Sequence, residues 1–421
     1  MKILVISHNS FSQTHNNGKT LSAIFSCFSK NELCQLFFTP IGSPDPKRCD
    51  QYYSITNKDA VFSIIKRGKC GDEIKDYENK VVAGSVRPVR HTFFTQAIRD
   101  TVWFMSSWYH GGLKKWLLKQ KPDAVFFVGG DAIFSHRIAV MISKKLDIPL
   151  ITYFTDDYIV NAPRGVYRSL LSRYYLKTVN HSKLLYAIGE EMAKVYSAFF
   201  KKQFFPIMNI VEIINEPKVF LLEGNILTIN YFGGVHLGRD REIARFGRYV
   251  RHYLRDYLNK DVDINVYTFG QLSGDIEKEF QELLIHVHSG LTGNDLYEAM
   301  LKTDIFLHVE SILPQYKMLT SLSVSTKIPE YMSLNKPIIA YGPSDIASFK
   351  IIAKANDKLV VNDSGVFRPE DSTIRTIAGI LNDTAALKKI ASDNYHYALV
   401  NFNKEVVAKN FRGQIEKALK G

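Results

Sequence analysis

The chain has little of what would staple a fold covalently or through a metal. Its 421 residues include four cysteines, at positions 27, 34, 49 and 70. No two stand two or three residues apart, which excludes a CxxC-type zinc or redox motif and leaves reduced, partly buried thiols. No apolar run approaches the roughly 20 residues that a spanning helix needs. The opening MKILVISHNS has neither a basic leader nor a long apolar core, so no secretory signal is expected and the location reads as cytoplasmic. Internal repeats and low-complexity tracts are missing as well. His8, His15, His110, His136 and His236 show no ligand spacing and read as surface or core residues; no metal site is expected. Gly18-Lys19-Thr20 follows the first apolar run, but Gln13 stands where a phosphate loop needs its first glycine, which excludes that motif.

What is present suits a large two-domain chain. Hydrophobic residues make up 46% of it, and its length exceeds the roughly 250 to 300 residues that one core serves. Residues 1–210 carry 29 Lys and Arg against 16 Asp and Glu, whereas residues 211–421 carry 25 against 26. The whole excess of +12 therefore belongs to the first half, which suits an anionic partner there: a membrane surface, a phosphorylated lipid carrier or nucleic acid. Nucleic acid is set aside, because no recognition module accompanies the charge. The segment TVWFMSSWYHGGLKKWLLKQK sets three tryptophans among four lysines, a mixture that fits either a membrane interface or a core with solvated lysines.

Apolar strand-like runs alternate with helix-like segments in both halves: KILVIS, AVFFVGG and PLITYF in the first, TINYFGG, DINVYTFG, DIFLHV and PIIAYG in the second. Such alternation predicts α/β architecture, with two doubly wound Rossmann-like domains facing a central cleft where strand carboxyl ends present ligand-binding groups. The expected boundaries are 1–207 and 208–403, with 404–421 a helix packing back on the first domain.

Several residues then stand at chemically useful places. Lys327 and Glu330 are three apart on a predicted helix, one suited to phosphate and the other to ribose hydroxyls, as a nucleotide-sugar diphosphate requires. Gly233-Gly234 closes a strand just before a helix headed by Arg239, which suits a close backbone approach to an anion and a guanidinium clamp on it. A tight turn is the structural alternative. Arg241, Arg245, Arg248, Arg251 and Arg255 continue that helix as a basic stripe and read as a solvated face with acidic partners. Asp131 and the pair Asp156-Asp157 follow strands, where they would orient or deprotonate a sugar hydroxyl, or else cap helices. Asn17, Gly18 and Lys19 are expected in a flexible polar loop that contacts an acceptor or donor phosphate, with a helix beginning near Thr20.

These motifs together resemble the GT-B glycosyltransferases, in particular the large retaining family that builds lipopolysaccharide, capsule and other bacterial surface glycans. INYFGGVHLGR resembles that family's strand, glycine loop and basic residue near the donor diphosphate, and TKIPEYMSLNKPIIAYGP its ribose-contacting glutamate, helix and strand. The resemblance implies Glu330 on ribose, Arg239 and Lys327 on diphosphate, Gly233-Gly234 at the close approach, and Ser325 and Thr326 on phosphate or sugar. It implies hexosyl transfer from a nucleotide sugar to a glycan or lipid-linked acceptor, with retention, without a cofactor or metal, and peripheral on the inner membrane face. Two positions depart from the family pattern. Val235 stands where many members carry arginine, and Leu322 where many carry a first glutamate; Glu310, across the insert SILPQYKMLTSLSV, is the nearby acid. A nucleotide-sugar 2-epimerase and a non-catalytic scaffold of the same architecture are the alternatives.

Overall fold

Apolar runs without alternation become strands covered on both faces, as parallel sheets demand. The computed structural model describes residues 1–12, 16–39, 43–65, 70–74, 93–109, 111–162, 165–213, 217, 220, 222, 224–363, 365 and 370–420. The chain divides into two units: Met1–Asn209 with Lys404–Gly421, and Ile210–Asn403. The helix Lys404–Lys420 thus belongs to the first unit although the second lies before it in sequence.

The first unit is built on eight strands: β1 (Ile3–Asn9), β2 (Leu33–Thr39), β3 (Tyr52–Ser54), β4 (Asp72–Ile74), β5 (Ala124–Gly129), β6 (Leu150–Phe154), β7 (Ser182–Ala187) and β8 (Phe205–Pro206). Their order is β4-β3-β2-β1-β5-β6-β7-β8, parallel except for β4. Among the described residues, seven helices lie between these strands in the chain, besides Lys404–Lys420: α1 (Asn16–Ile24), α2 (Asn57–Ile65), α3 (Phe93–Met105), α4 (Gly112–Gln120), α5 (Ile133–Leu146), α6 (Val166–His181) and α7 (Gly189–Phe200). Chain order reverses between β1 and β5, so the connections leaving their carboxyl ends diverge and open a crevice.

The second unit repeats the plan with six parallel strands: β9 (Ile226–Phe232), β10 (Asp261–Thr268), β11 (Ile285–Ser289), β12 (Ile305–Val309), β13 (Ile338–Gly342) and β14 (Val360–Asn362). Their order, β11-β10-β9-β12-β13-β14, reverses between β9 and β12. The helices that matter to the site are α8 (Arg239–Tyr249), α9 (Gly274–Glu282), α10 (Gly293–Lys302), α11 (Pro314–Thr320) and α12 (Lys327–Ser333). Beyond Tyr249 the first of these continues as a π turn over Val250–Leu254 and a 3-10 turn over Arg255–Tyr257.

One expectation is corrected at this level, and one open alternative is resolved. Helix α1 begins at Asn16, so Asn17, Gly18 and Lys19 occupy its first turn and not a loop; the side chain of Asn17 lies outside the described residues. Gly18 is required by packing, since a Cβ there would lie 2.3 Å from the Ser10 carbonyl oxygen. The tryptophans of the aromatic and basic segment are core: Trp103, Trp108 and Trp116 are 1–3% exposed. Trp103 stacks on Phe134 at 4.1 Å and donates its Nε1 hydrogen to Asn57 Oδ1 at 2.7 Å, so burial of large rings prevails over an interfacial placement. Among the described residues no helix is long and apolar enough to cross a membrane.

The carboxy-terminal helix is held by Phe411, 2% exposed, whose ring meets those of Phe25, Phe28, Phe126 and Tyr186. Arg412 beside it forks onto Glu32 with both contacts at 2.9 Å. Phe411→Ala is expected to destabilise the first unit by about 3–5 kcal/mol, read as a lower denaturant midpoint, with the second unit's transition unmoved.

Candidate functional site

The order reversal in the second unit brings four sequence-predicted groups to the ends of β9 and β12. Gly233 and Gly234 form the turn leaving β9: the Gly233 amide donates to the Tyr267 carbonyl at 3.1 Å, and the Gly234 carbonyl accepts from the Tyr231 hydroxyl at 2.8 Å. Gly238, which the sequence reading passed over, has φ +75° and sits as N-cap of α8, where a Cβ would lie 2.7 Å from the Tyr316 ring. Only glycine suits that backbone and that space. Arg239 follows, and its guanidinium forks onto Glu310 just past β12, with Nη2–Oε1 at 2.7 Å and Nε–Oε2 at 3.1 Å. Glu310 is 3% exposed. Burial pushes its carboxyl up against the pull of Arg239, so the arginine's charge is already balanced by a carboxylate at the place proposed for an anion.

Helix α12 reaches the same strand end, because the Tyr331 hydroxyl donates to the Phe232 carbonyl at 3.2 Å and accepts from the Phe232 amide at 3.3 Å. Lys327 and Glu330 share its first turn and pair at 2.8 Å. The Ser325 hydroxyl accepts from the Lys327 amide at 3.4 Å, and Thr326 is the N-cap residue in helical conformation, making no side-chain cap bond. The insert after Glu310 carries α11, at whose end the Thr320 hydroxyl donates to the Tyr316 carbonyl at 3.3 Å.

A second carboxylate cluster fixes the loop that follows Glu310. Glu242, 1% exposed, accepts the Ile312 amide at 3.1 Å. Its neighbour Arg245 forks onto Asp363 at 2.6 and 2.7 Å and stands 3.4 Å from Glu242. Burial, helped by Asp363, pushes the Glu242 carboxyl up to about 7. Of the rest of the arginine stripe, Arg248 pairs with Glu279 as expected, whereas Arg251 donates to the carbonyls of Leu283 and Leu284 and not to an acid.

The first unit holds a cavity of about 480 Å³ at its own switch point, where β1, β5 and β6 end. Asp131 and Asp156 line it with His8, Asn9, Gln96 and Tyr158. Asp131 accepts from Gln96 Nε2 at 3.0 Å and stands 3.9 Å from Arg99; Asp156 accepts from the Thr155 hydroxyl at 3.1 Å. Asp157 is different: it accepts the amides of Ile159, Val160 and Asn161 at 2.8–3.0 Å and the Tyr196 hydroxyl at 3.0 Å. With both oxygens so engaged and 3% exposed, it caps the loop after β6 and is withdrawn as a catalytic candidate. His8 is the residue that sequence reasoning missed. Its Nε2 is buried without a hydrogen-bond partner, and burial lowers the imidazole to about 4, so the ring is neutral near pH 7. Its position at the carboxyl end of the first strand was the available signal. Among the described residues no group of three or more His, Cys, Asp or Glu is placed to hold a metal ion.

No protein-family model and no curated protein matches the chain. Solved structures do. HepE from Anabaena, in complex with UDP and glucose, superposes with a TM-score of 0.61 at 10% identity, over 99% of this chain and 100% of that one. WaaG, a glycosyltransferase involved in lipopolysaccharide biosynthesis, gives 0.57 at 14% identity over 97% and 100%, and apo OtsA gives 0.56 at 9% over 100% and 99%. The two doubly wound units are therefore those of the GT-B fold.

The raised Glu242 carboxyl makes a pH prediction. Relative to an unfolded value near 4.5, its folded form holds a proton to about pH 7, so its contribution to stability is full below pH 4.5 and is lost as pH rises through 7. Glu242→Gln should flatten that part of the stability profile, by on the order of 1–3 kcal/mol between pH 4.5 and 7.5. Urea unfolding across that range checks it; parallel profiles for wild type and variant would refute the assignment.

Proposed function

We propose that this chain is a glycosyltransferase that moves a hexose from a nucleotide-diphosphate sugar to a hydroxyl acceptor in surface-polysaccharide or glycolipid assembly. The observation that carries the reading is the pairing at the second unit's switch point: Arg239 with Glu310 and Lys327 with Glu330, two cations and two carboxylates around a glycine turn. A diphosphate competes for the cations, while ribose and sugar hydroxyls take over the carboxylates they release. Binding thus exchanges one set of charge-assisted bonds for another, and neither charge is left bare in a buried place. That HepE, of the same fold, binds UDP and UDP-glucose supports the donor class.

In the transfer the acceptor oxygen bonds to the anomeric carbon, and the bond from that carbon to the diphosphate oxygen breaks with its electron pair leaving on the nucleoside diphosphate. The acceptor proton passes to that departing phosphate oxygen if configuration is retained, as the family resemblance implies. Arg239 and Lys327 stabilise the charge that develops there, which is the work a divalent cation does elsewhere. Asp131 and Asp156 line the proposed acceptor cavity. A non-catalytic scaffold is the second reading, and the departures from the family pattern at Val235 and Leu322 favour it.

The basic surplus suits an anionic membrane more closely once counted by unit: Met1–Asn209 with Lys404–Gly421 carries 34 basic against 18 acidic side chains, Ile210–Asn403 20 against 24. Phe62 and Ile65 on α2 and Phe94, Ile98, Phe104 and Met105 on α3 are each more than half exposed and supply the apolar contact that the buried tryptophans do not.

Two measurements test these readings. UDP should raise the melting temperature, and Glu330→Ala or Lys327→Ala should weaken its binding roughly 10- to 100-fold, as loss of a charged hydrogen bond implies; an unchanged response in both variants would refute the donor site. Sedimentation with anionic vesicles should show binding that falls between 50 and 300 mM salt and weakens in Phe62→Ser/Ile98→Ser. Equal sedimentation with neutral vesicles would remove the membrane from the proposal.

A further inference from the structure

Helix α12 and the exit of β10 share one face of the second unit's sheet. The Tyr331 ring of α12 lies 6.4 Å from that of Phe232, and Phe232 stacks on Tyr267 of β10 at 4.7 Å with the two planes 10° apart. Side chains two apart on a strand point the same way. Phe269, two residues beyond Tyr267 and one past the end of β10, therefore continues the face on which Lys327 and Glu330 head α12. The same exit abuts the glycine turn: a Cβ on Gly270 would lie 2.8 Å from Val235 Cγ2 and 3.7 Å from the Val235 amide nitrogen. Phe269 is thus the neighbour of a residue packed on the turn proposed for the diphosphate, and it stands on the side of the glutamate proposed for the ribose.

In that setting Phe269 is an exception. It is 73% exposed, whereas Phe232 and Phe306 on the same face are 3% and 0% exposed. Its ring is nonetheless held in place by Gly290, just past β11, where a Cβ would come within 2.4–2.6 Å of three ring carbons. Gly290 does not have a left-handed backbone, so the ring and not the chain conformation makes glycine necessary there. A flat apolar ring supported by glycine and open to solvent is a surface on which another flat ring can stack.

We propose that Phe269 is the platform on which the nucleobase of the donor stacks. The inference rests on the donor reading of the second unit and deepens it. The base is bonded to the ribose, whereas the hexose hangs from the far phosphate, so a ring on the ribose side of the glycine turn meets the base. Stacking reads the plane of a base and not its hydrogen-bonding edge. Phe269 then supplies affinity for any nucleoside diphosphate, and selection among bases falls to other groups.

The test is titration calorimetry of the full chain with UDP, ADP, GDP and UDP-glucose, on wild type, Phe269→Ala, Phe269→Leu and Phe269→Trp. At least one nucleotide is expected to bind wild type; Phe269→Ala and Phe269→Leu should weaken it about 10- to 100-fold, and Phe269→Trp should stay within about threefold. Unliganded melting temperatures should not move, because the side chain is largely exposed. Equal nucleotide affinity in wild type and Phe269→Ala overturns the platform and leaves the donor reading, which Glu330→Ala tests by itself. Wild-type affinity in Phe269→Leu overturns it as well, since apolar cover without stacking would then suffice. A loss confined to UDP-glucose, with UDP unaffected, assigns the ring to the hexose and overturns it. Failure of all four ligands to bind wild type overturns the donor reading and this one with it.

Discussion

A parallel strand buried on both faces has nowhere along its length to carry chemistry. Every side chain of β5 and β12 is buried, and the polar groups that might act are displaced to where the strand stops. In a doubly wound sheet those stops are not equivalent. Where chain order reverses, two neighbouring connections turn away from each other, and the groups at their roots stay uncovered. Both units obey the constraint: His8 lies at the carboxyl end of β1 and Asp131 just past β5, Gly233 and Glu310 just past β9 and β12. The site residues are consequences of this one feature of topology, reached twice by separate stretches of sequence.

Charge balance decides how the second unit can wait for a ligand. Glu310 is buried deeply enough that an isolated carboxylate there would be costly, and Arg239 offsets part of that cost by forking onto it, the carboxyl still being held above its usual range. The same logic recurs one turn along α8, where Arg245 serves Asp363 and leaves Glu242 only partly compensated, which is why that carboxyl and not Asp363 is pushed toward neutral pH. Glu242 in turn holds the Ile312 amide, so Glu310 and Glu242, set against different arginines of one helix, both fix the start of the connection that leaves β12. A ligand that draws Arg239 away from Glu310 leaves that buried carboxylate without its paired charge unless the ligand's own donors replace it.

Much of this architecture was legible in the chain, for a physical reason. Unbroken apolar runs such as AVFFVG and IFLHV announce buried strands, and their alternation with helical periods gives the two units and the helix that returns to the first. Pairings were not legible. Arg239 and Glu310 lie 71 residues apart, and nothing in either neighbourhood says that the arginine is already engaged. Adjacent identical residues were equally opaque: Asp156 faces the cavity while Asp157, one peptide on, is consumed by three amides and a tyrosine hydroxyl. Polar residues misled at Asn17-Gly18-Lys19, because a helix whose first turn is polar looks like a loop until Gly18 is seen against the Ser10 carbonyl.

The tryptophans show how the same composition can support a conclusion by a different route. Three tryptophans among four lysines suggested an interface, and all three are core. The apolar surface the unit does expose includes phenylalanine, isoleucine and methionine on α2 and α3, while its basic residues are spread along its whole sequence. Long-range attraction to an anionic surface depends on the summed charge and tolerates such spreading, whereas recognition inside a cavity depends on the few groups within hydrogen-bond reach. A unit can therefore be strongly basic overall while two carboxylates line its cavity, because the two properties act over different distances.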